Sequence, residues 1–267
     1  MTTPSPALRV TAPIRTLFLS DLHLGALGCR ADLILGFLQA HPAERYVLVG
    51  DILDLWHPLL PHWSARDQAV VEHLNARQAA GAALVYLRGN HDPHPERAPE
   101  ARRIAAEPIA ETIHHAPDGR RYFVVHGDLI DGRMFRWHVM TRLGSRIDHL
   151  LRRLDGVIDR LRRSEAGHRP GLIGSAICGL NALLYARRSH ERRLVALARA
   201  RGCDGVICGH FHIADLHEDH GLIYANCGDW IDNFTALAEA HDGSLRLLGA
   251  GAEAGAAQSF ELGLLNQ

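Results

Sequence analysis

Five times along this chain a short apolar run ends directly in Asp, Asn or His, mostly with glycine alongside, and this repetition constrains the fold more than any other feature. The runs cover residues 16–20, 46–49, 83–87, 122–125 and 205–208. They lead into Asp21-Leu22-His23, Gly50-Asp51, Gly89-Asn90-His91-Asp92, His126-Gly127-Asp128 and Gly209-His210-Phe211-His212. Short apolar stretches bounded in this way read as buried strands. Between the first three lie helical segments at residues 31–39 and 65–80, the second with Val70, Val71 and Leu74 on one side. Strand, helix, strand, helix, strand at this spacing needs crossover connections, so the first sheet is expected to be largely parallel. The carboxyl ends of such strands converge on one edge, where ligands bind. Polar residues at those ends therefore share a site although they are far apart in the chain, and the neighbouring glycines let the backbone turn sharply there.

The rest of the chain organises around that edge. Residues 109–114, 222–225, 235–239 and 244–248 read as further strands, the last three making a second, more antiparallel sheet. Residues 133–201 read as wholly helical, an insertion within a domain spanning 16–248, with a flexible N-terminus at 1–15 and a Gly/Ala-rich tail at 249–267. A 267-residue chain that is 47% hydrophobic buries a substantial core, which excludes wholesale disorder. The formal net charge of -1 argues against a general nucleic-acid or membrane-coating protein. The five cysteines are odd in number and lack C-x-x-C spacing, which reads as reduced thiols in a cytosolic compartment, with Cys208 and Cys227 as buried spectators. Neither a signal peptide nor a spanning segment is visible, so a cytoplasmic location is expected.

The histidine content is the outlier, at nineteen residues, and several stand beside Gly and Asp in the five motifs. That inventory suits two adjacent cations. A pair of ions roughly 3.5–4 Å apart needs a charged oxygen between them, and Asp51 is the candidate bridge. Asp21, His23 and His212 complete one ion, and Asn90, His126 and His210 the other. Carboxylate, amide and imidazole ligands without thiolate fit Mn²⁺, with Fe or Zn²⁺ as alternatives, better than a structural zinc cage. A hydroxide held between the ions is the expected nucleophile on phosphorus. His91, next to Asn90, is placed to protonate the leaving oxygen, and Asp92 to orient His91. Asp229 reads either as a support for the ligands or as a turn cap.

The order of the motifs resembles that of the calcineurin-like metallophosphoesterases, over about residues 16–248. The resemblance implies an α+β/α/β fold, a four-layer α/β/β/α sandwich of two face-to-face sheets with helices outside, carrying a helical insertion and a di-metal centre. Within the family the chain is most similar to the bacterial UDP-2,3-diacylglucosamine pyrophosphohydrolase group. The likeness rests on compact size, on Asp51-Ile52-Leu53-Asp54-Leu55-Trp56, on the helical insertion and on Asn226-Cys227-Gly228-Asp229-Trp230. It implies a manganese pyrophosphatase of lipid A biosynthesis that releases a lipid sugar phosphate and UMP, peripheral on the cytoplasmic face of the inner membrane. One departure stands out: the best-known branch has arginine after the metal-binding asparagine, and this chain has His91, as in the wider family.

Residues 133–201 bear on the substrate. Met140, Leu143, Ile147, Leu150, Leu154 and Leu161 recur at helical spacing among arginines, and a second apolar segment covers 172–184. Two readings stand side by side: a helical hairpin packed on the core with a solvated basic face, or a lid taking acyl chains on one side and anionic headgroups on the other. Arg133 and Asn181 are candidate substrate contacts by position. Asp148, Asp155 and Asp159 interrupt the arginines without aromatic alternation, so no nucleic-acid partner is expected. Trp56, Trp63 and Trp137 read as packing or lid residues, and His114, His115, His217, His220 and His241 as surface or strand-end histidines. The competing functional readings are a soluble phosphoprotein phosphatase or nucleotide phosphodiesterase of the same family, with no lipid role, and a non-catalytic scaffold. The complete ligand set speaks against the scaffold.

Overall fold

The computed structural model describes residues 14–26, 28–55, 62–94, 99–130 and 188–250. Arg133, Asn181, Trp56, Trp137, most of the expected insertion and nearly all of both expected terminal segments lie outside these residues. In chain order the elements are β1 (Ile14–Leu19), α1 (Ala31–Ala40), β2 (Ala43–Val49), α2 (Ala65–Ala79), β3 (Ala83–Leu87), β4 (Pro108–Ile109), β5 (Glu111–His115) and β6 (Arg121–Val125). They continue with α3 (Ser189–Ala200), β7 (Gly205–Cys208), β8 (Asp215–His217), β9 (Ile223–Asn226), β10 (Thr235–Ala240) and β11 (Leu245–Gly249).

Two mixed sheets result, with strand orders β11-β10-β1-β2-β3-β4 and β5-β6-β7-β9-β8. In the first, β1 to β4 pair in parallel, while β10 runs antiparallel to β1 and to β11. This corrects the expectation that residues 235–239 and 244–248 belong to the second sheet. That sheet is itself parallel at its centre, β6-β7-β9, with antiparallel strands at both edges. The expected strand at 109–114 is in fact two. Pro108–Ile109 closes the first sheet against β3, and Glu111–His115 opens the second against β6, so the chain changes sheets at Ala110. Both halves are extended, which is why one continuous strand looks the same in sequence. β8 was not foreseen, being three half-buried residues with no apolar run.

Side chains alternate across each strand, and that alternation makes the layers. Leu17, Leu19, Tyr46 and Leu48 point to a core shared with Ile34 and Phe37 of α1 and Val70 and Leu74 of α2. Phe18, Val47 and Val49 point the other way, to a core between the sheets with Tyr122, Val124 and Ile207. Phe123, Val125 and Val206 then face Leu194, Val195 and Ala198 of α3. Three cores between four layers follow from a period of two in the strands. α3 falls inside the expected insertion, and its apolar side covers the outer face of the second sheet.

The helix that matters most for the site is α2. Ser64 accepts hydrogen bonds from the Arg66 and Asp67 amides, and the Asp67 carboxylate accepts from the Ser64 amide at 2.7 Å, a capping box. The other Asp67 oxygen accepts from the Gly25 amide at 3.2 Å, which ties the start of this helix to the loop after β1.

Candidate metal centre

The loops after β1 and β2 run on side by side past the end of the sheet. The Asp21 amide donates to the Gly50 carbonyl at 3.0 Å, His23 to Asp51 at 3.0 Å, and Leu24 to Ile52 at 2.9 Å. Asp21, His23, Asp51, His210 and His212 all have φ between 48° and 67°. Left-handed backbone costs a non-glycine residue about 1–3 kcal/mol and concentrates at functional sites. Here it swings successive side chains of each loop toward the same edge. Gly50, at φ 87°, has no alternative: a Cβ there would strike the His126 ring. Gly209 is equally fixed, since its Cβ would collide with Ser20 and Asp21.

Two groups of potential ligand atoms form, each with all its atoms within 4.8 Å of one another: Asp21, His23 and His212, and Asp51, His126 and His210. Asp21 uses its Oδ2 to accept from the His210 amide at 2.8 Å and from the Ser20 hydroxyl. Its Oδ1 is left facing His212 Nε2 at 3.3 Å and His23 Nε2 at 3.7 Å. Asp51 likewise accepts the His91 amide on Oδ1 at 2.7 Å and turns Oδ2 toward His126 Nε2, 3.3 Å away. The opposite ring nitrogens are turned to acceptors: His126 Nδ1 to the Val49 carbonyl at 2.8 Å, and His23 Nδ1 toward Asp54 at 3.4 Å. An acceptor facing Nδ1 leaves the Nε2 lone pair for a cation.

The buried atoms without partners test whether metal ions fit. Asp21 Oδ1, His23 Nε2, Asn90 Oδ1 and His126 Nε2 are buried and make no hydrogen bond. Burying a polar atom unpaired costs about 1–3 kcal/mol, so this many at one edge need something else to satisfy them. Ligands bound at about 2.0–2.2 Å stand roughly 3–3.5 Å apart, and the Asp21–His212, Asp21–His23 and Asp51–His126 separations of 3.3, 3.7 and 3.3 Å are close to that. The residues fit divalent ions.

The charges agree. Burial alone would push Asp21 up, but the His212 and His23 imidazoles outweigh it and hold the carboxyl well below its usual range. Asp51 and Asp54 are also held low against burial, chiefly by His126 and by His23 respectively. Burial pulls His126 down, yet Asp51 beside it raises the ring to about 10. A cation bound at His126 would have to displace that proton, so its binding there would release one.

Asp92 differs from the sequence expectation. Its carboxylate accepts from the amides of Asp51, Ile52, Leu53 and Gly89, all at 2.8–3.0 Å, and from the Tyr86 hydroxyl at 2.6 Å. It clamps the loop that carries Asp51 rather than orienting His91. Burial and the Asp51 charge raise its pKa to about 6 against the pull of those donors. The acid facing His91 is Asp54, with 3.2 Å between its Oδ2 and Nδ1. In the sequence Asp54 stands only as part of the longer Asp51–Trp56 motif. Its signal was a second acid three residues after Asp51 in an otherwise apolar loop. Asp229 is a turn cap: Oδ1 accepts from the Ile231 and Asp232 amides at 2.8 and 2.6 Å, and His212 Nδ1 lies 3.9 Å off.

The family profile described as calcineurin-like phosphoesterase matches residues 14–214. None of the curated proteins matches the chain. Among solved structures, YfcE, a phosphoesterase from E. coli, is 17% identical, with 88% of this chain and 98% of that one covered and a TM-score of 0.42. An archaeal phosphodiesterase is 12% identical, over 87% and 98%, with a TM-score of 0.42. Wild-type Vps29 from Entamoeba histolytica, complexed with Zn²⁺, is 13% identical, over 87% and 89%, with a TM-score of 0.42.

Proposed function

Because this chain belongs to the calcineurin-like phosphoesterase family, we propose that it is a two-metal phosphoesterase that cleaves a phosphodiester or pyrophosphate bond of a lipid-linked nucleotide sugar. The observation that carries the reaction is the pair of ligand groups with their unpaired buried atoms. Asp21, His23 and His212 would hold one ion, and Asn90, His126 and His210 the other, with Asp51 shared. Bound there, two divalent ions, Mn²⁺ by preference, supply an acidified water and neutralise charge on the phosphoryl oxygens. His91 hands a proton to the leaving oxygen. Asp54 holds the ring from Nδ1. Asp92 keeps the Asp51 loop in place throughout, as a positioning residue.

The lipid part of the reading rests on sequence: the Asp51–Trp56 and Asn226–Trp230 motifs and the apolar, arginine-lined insertion, with Arg133 and Asn181 as contacts. It places the protein at the cytoplasmic face of the inner membrane, acting on UDP-2,3-diacylglucosamine. No helix among the described residues is long and apolar enough to cross a membrane. A second reading, a phosphoprotein phosphatase or nucleotide phosphodiesterase, is favoured by His91 standing where the best-known lipid branch has arginine.

With Mn²⁺ present, Asp51→Ala and His126→Ala are each expected to abolish hydrolysis of an aryl phosphodiester while the protein stays folded. Full turnover by either variant removes the two-metal mechanism. Parallel assays on UDP-2,3-diacylglucosamine, phosphopeptides and cyclic nucleotides separate the two substrate readings.

A further inference from the structure

We infer that a separate metal site, for one zinc-type transition cation, lies where α3 meets the outer edge of the second sheet, held by Glu191, His217 and His220. The ligand atoms of these three residues lie within 4.8 Å of one another, and none of the three belongs to the centre described above. Glu191 stands in the first turn of α3, His217 ends the edge strand β8, and His220 lies in the turn that follows. In the β8–β9 register His217 faces Tyr224, two residues back from Asn226 and the edge that carries the active centre. Tertiary packing alone brings the helix and the strand end together.

Both imidazoles point at one oxygen. Glu191 Oε2 is 2.9 Å from His220 Nε2 and 3.3 Å from His217 Nε2. His220 makes the hydrogen bond, and His217 Nε2 is left buried without one. Two imidazole nitrogens and a carboxylate oxygen around one point form a His₂-carboxylate set, which suits zinc and similar first-row ions. Such donors, bound at about 2.0–2.2 Å, stand roughly 3 Å apart. Observed separations of 2.9 and 3.3 Å are of that size. An ion among the three donors satisfies the orphaned nitrogen, which the Glu191–His220 hydrogen bond does not.

The surroundings support a cation. Glu191 is nearly fully buried, its side chain 5% exposed, and its other oxygen faces the Arg188 guanidinium at 3.4 Å. Arg188 also contacts Asp215 and Asp219, so three carboxylates meet one guanidinium in direct contact. Ligation through Nε2 moves the His217 proton to Nδ1. The Asp219 carboxylate lies 3.6 Å from that nitrogen, which now accepts from the Asp219 amide. Tyr224 packs on the His217 ring at 5.2 Å between centroids, and Arg199 donates to the His220 carbonyl at 3.1 Å, fixing the turn.

Zinc content tests the site independently of catalysis. The full chain is loaded with excess Zn²⁺, gel-filtered and assayed for metal per chain. The His217→Gln/His220→Gln variant is expected to hold one zinc fewer than the parent while its aryl phosphodiester turnover is unchanged. In an Asp51→Ala/His126→Ala background the α3–β8 zinc is expected to remain, and to vanish when the two glutamines are added. If the glutamine variant loses its far-ultraviolet circular dichroism, the parent chain decides instead. Zn²⁺ should then shield His217 and His220 from diethylpyrocarbonate, as read by peptide mass mapping. Equal zinc in folded variant and parent, or equal modification with and without Zn²⁺, overturns the site and leaves an ion pair between Glu191 and His220.

Discussion

Asp92 turns both carboxylate oxygens to the peptide N–H groups of the Asp51 loop and to Gly89, while His91, one residue earlier, brings its ring to Asp54. The two neighbours therefore fail differently when removed. Asp92→Ala strands four buried amides and is expected to cost about 4 kcal/mol of stability or more, each unpaired group contributing about 1–3 kcal/mol. Bound metal should fall with it. His91→Ala is expected to lower turnover by about 10²–10⁴-fold with metal content and unfolding midpoint nearly unchanged. Urea unfolding, metal analysis and steady-state rates on the same two proteins check the contrast. A stable Asp92→Ala protein with full metal would return Asp92 to the role the sequence suggested.

Among the elements, β1, β5 and β10 share one buried contact that joins the two sheets. Glu239 of β10, fully buried, accepts from Thr16 and Arg15 of β1 at 2.8 and 2.9 Å, and lies 2.7 Å from His114 Nε2 of β5. Phe18 packs edge-on against that imidazole, with centroids 5.1 Å apart. His114 is thus a buried cross-sheet partner, where the sequence suggested a surface or strand-end histidine. Burial would raise the Glu239 carboxyl, but His114, Thr16 and Arg15 together pull it below its ordinary value. A depressed carboxyl stabilises the fold above its unfolded pKa, about 4.3, and loses that contribution as pH falls through the folded value. Glu239→Ala is therefore expected to cost about 3–5 kcal/mol at pH 7, from breaking a buried pair. The gap from the parent should narrow at pH 3–4, and denaturant unfolding at both pH values measures it. A gap that widens in acid would contradict the sign.

For the whole molecule, the candidate metal centre is also a structural joint. Its candidate ligands come from loops after β1, β2, β3, β6 and β7, so both sheets contribute. Trp230 ties in the chain after β9 by donating to the Asp21 carbonyl at 3.1 Å. Chelation is expected to abolish hydrolysis, with Mn²⁺ restoring it. Free metal at a hundred times its Kd stabilises the native state by about 2.7 kcal/mol per site. For a chain of this size that is a rise of about 5–10 °C in the unfolding temperature. Thermal melts with and without Mn²⁺ check it, and an unchanged melt would mean that the ions do not bind this edge.

The residues themselves determined the candidate ligand set and its order. An apolar run ending beside Gly and Asp, Asn or His is a local pattern, and few residue types bind divalent ions, so Asp21, His23, Asp51, Asn90, His126, His210 and His212 stood out without coordinates. The four layers were implied by the family resemblance, and the structure shows the alternation of strand side chains that builds them. Only the tertiary structure decided which groups face one another. Sheet order placed β10 and β11 beside β1, moved the chain between sheets at Ala110, gave Glu239 to His114 and brought Glu191 onto His217 and His220. Periodicity reports how a segment lies relative to its own neighbours in the chain. Asp54, Asp92 and His114 draw their roles from partners across a sheet or a loop, and that information exists only once the strands have paired.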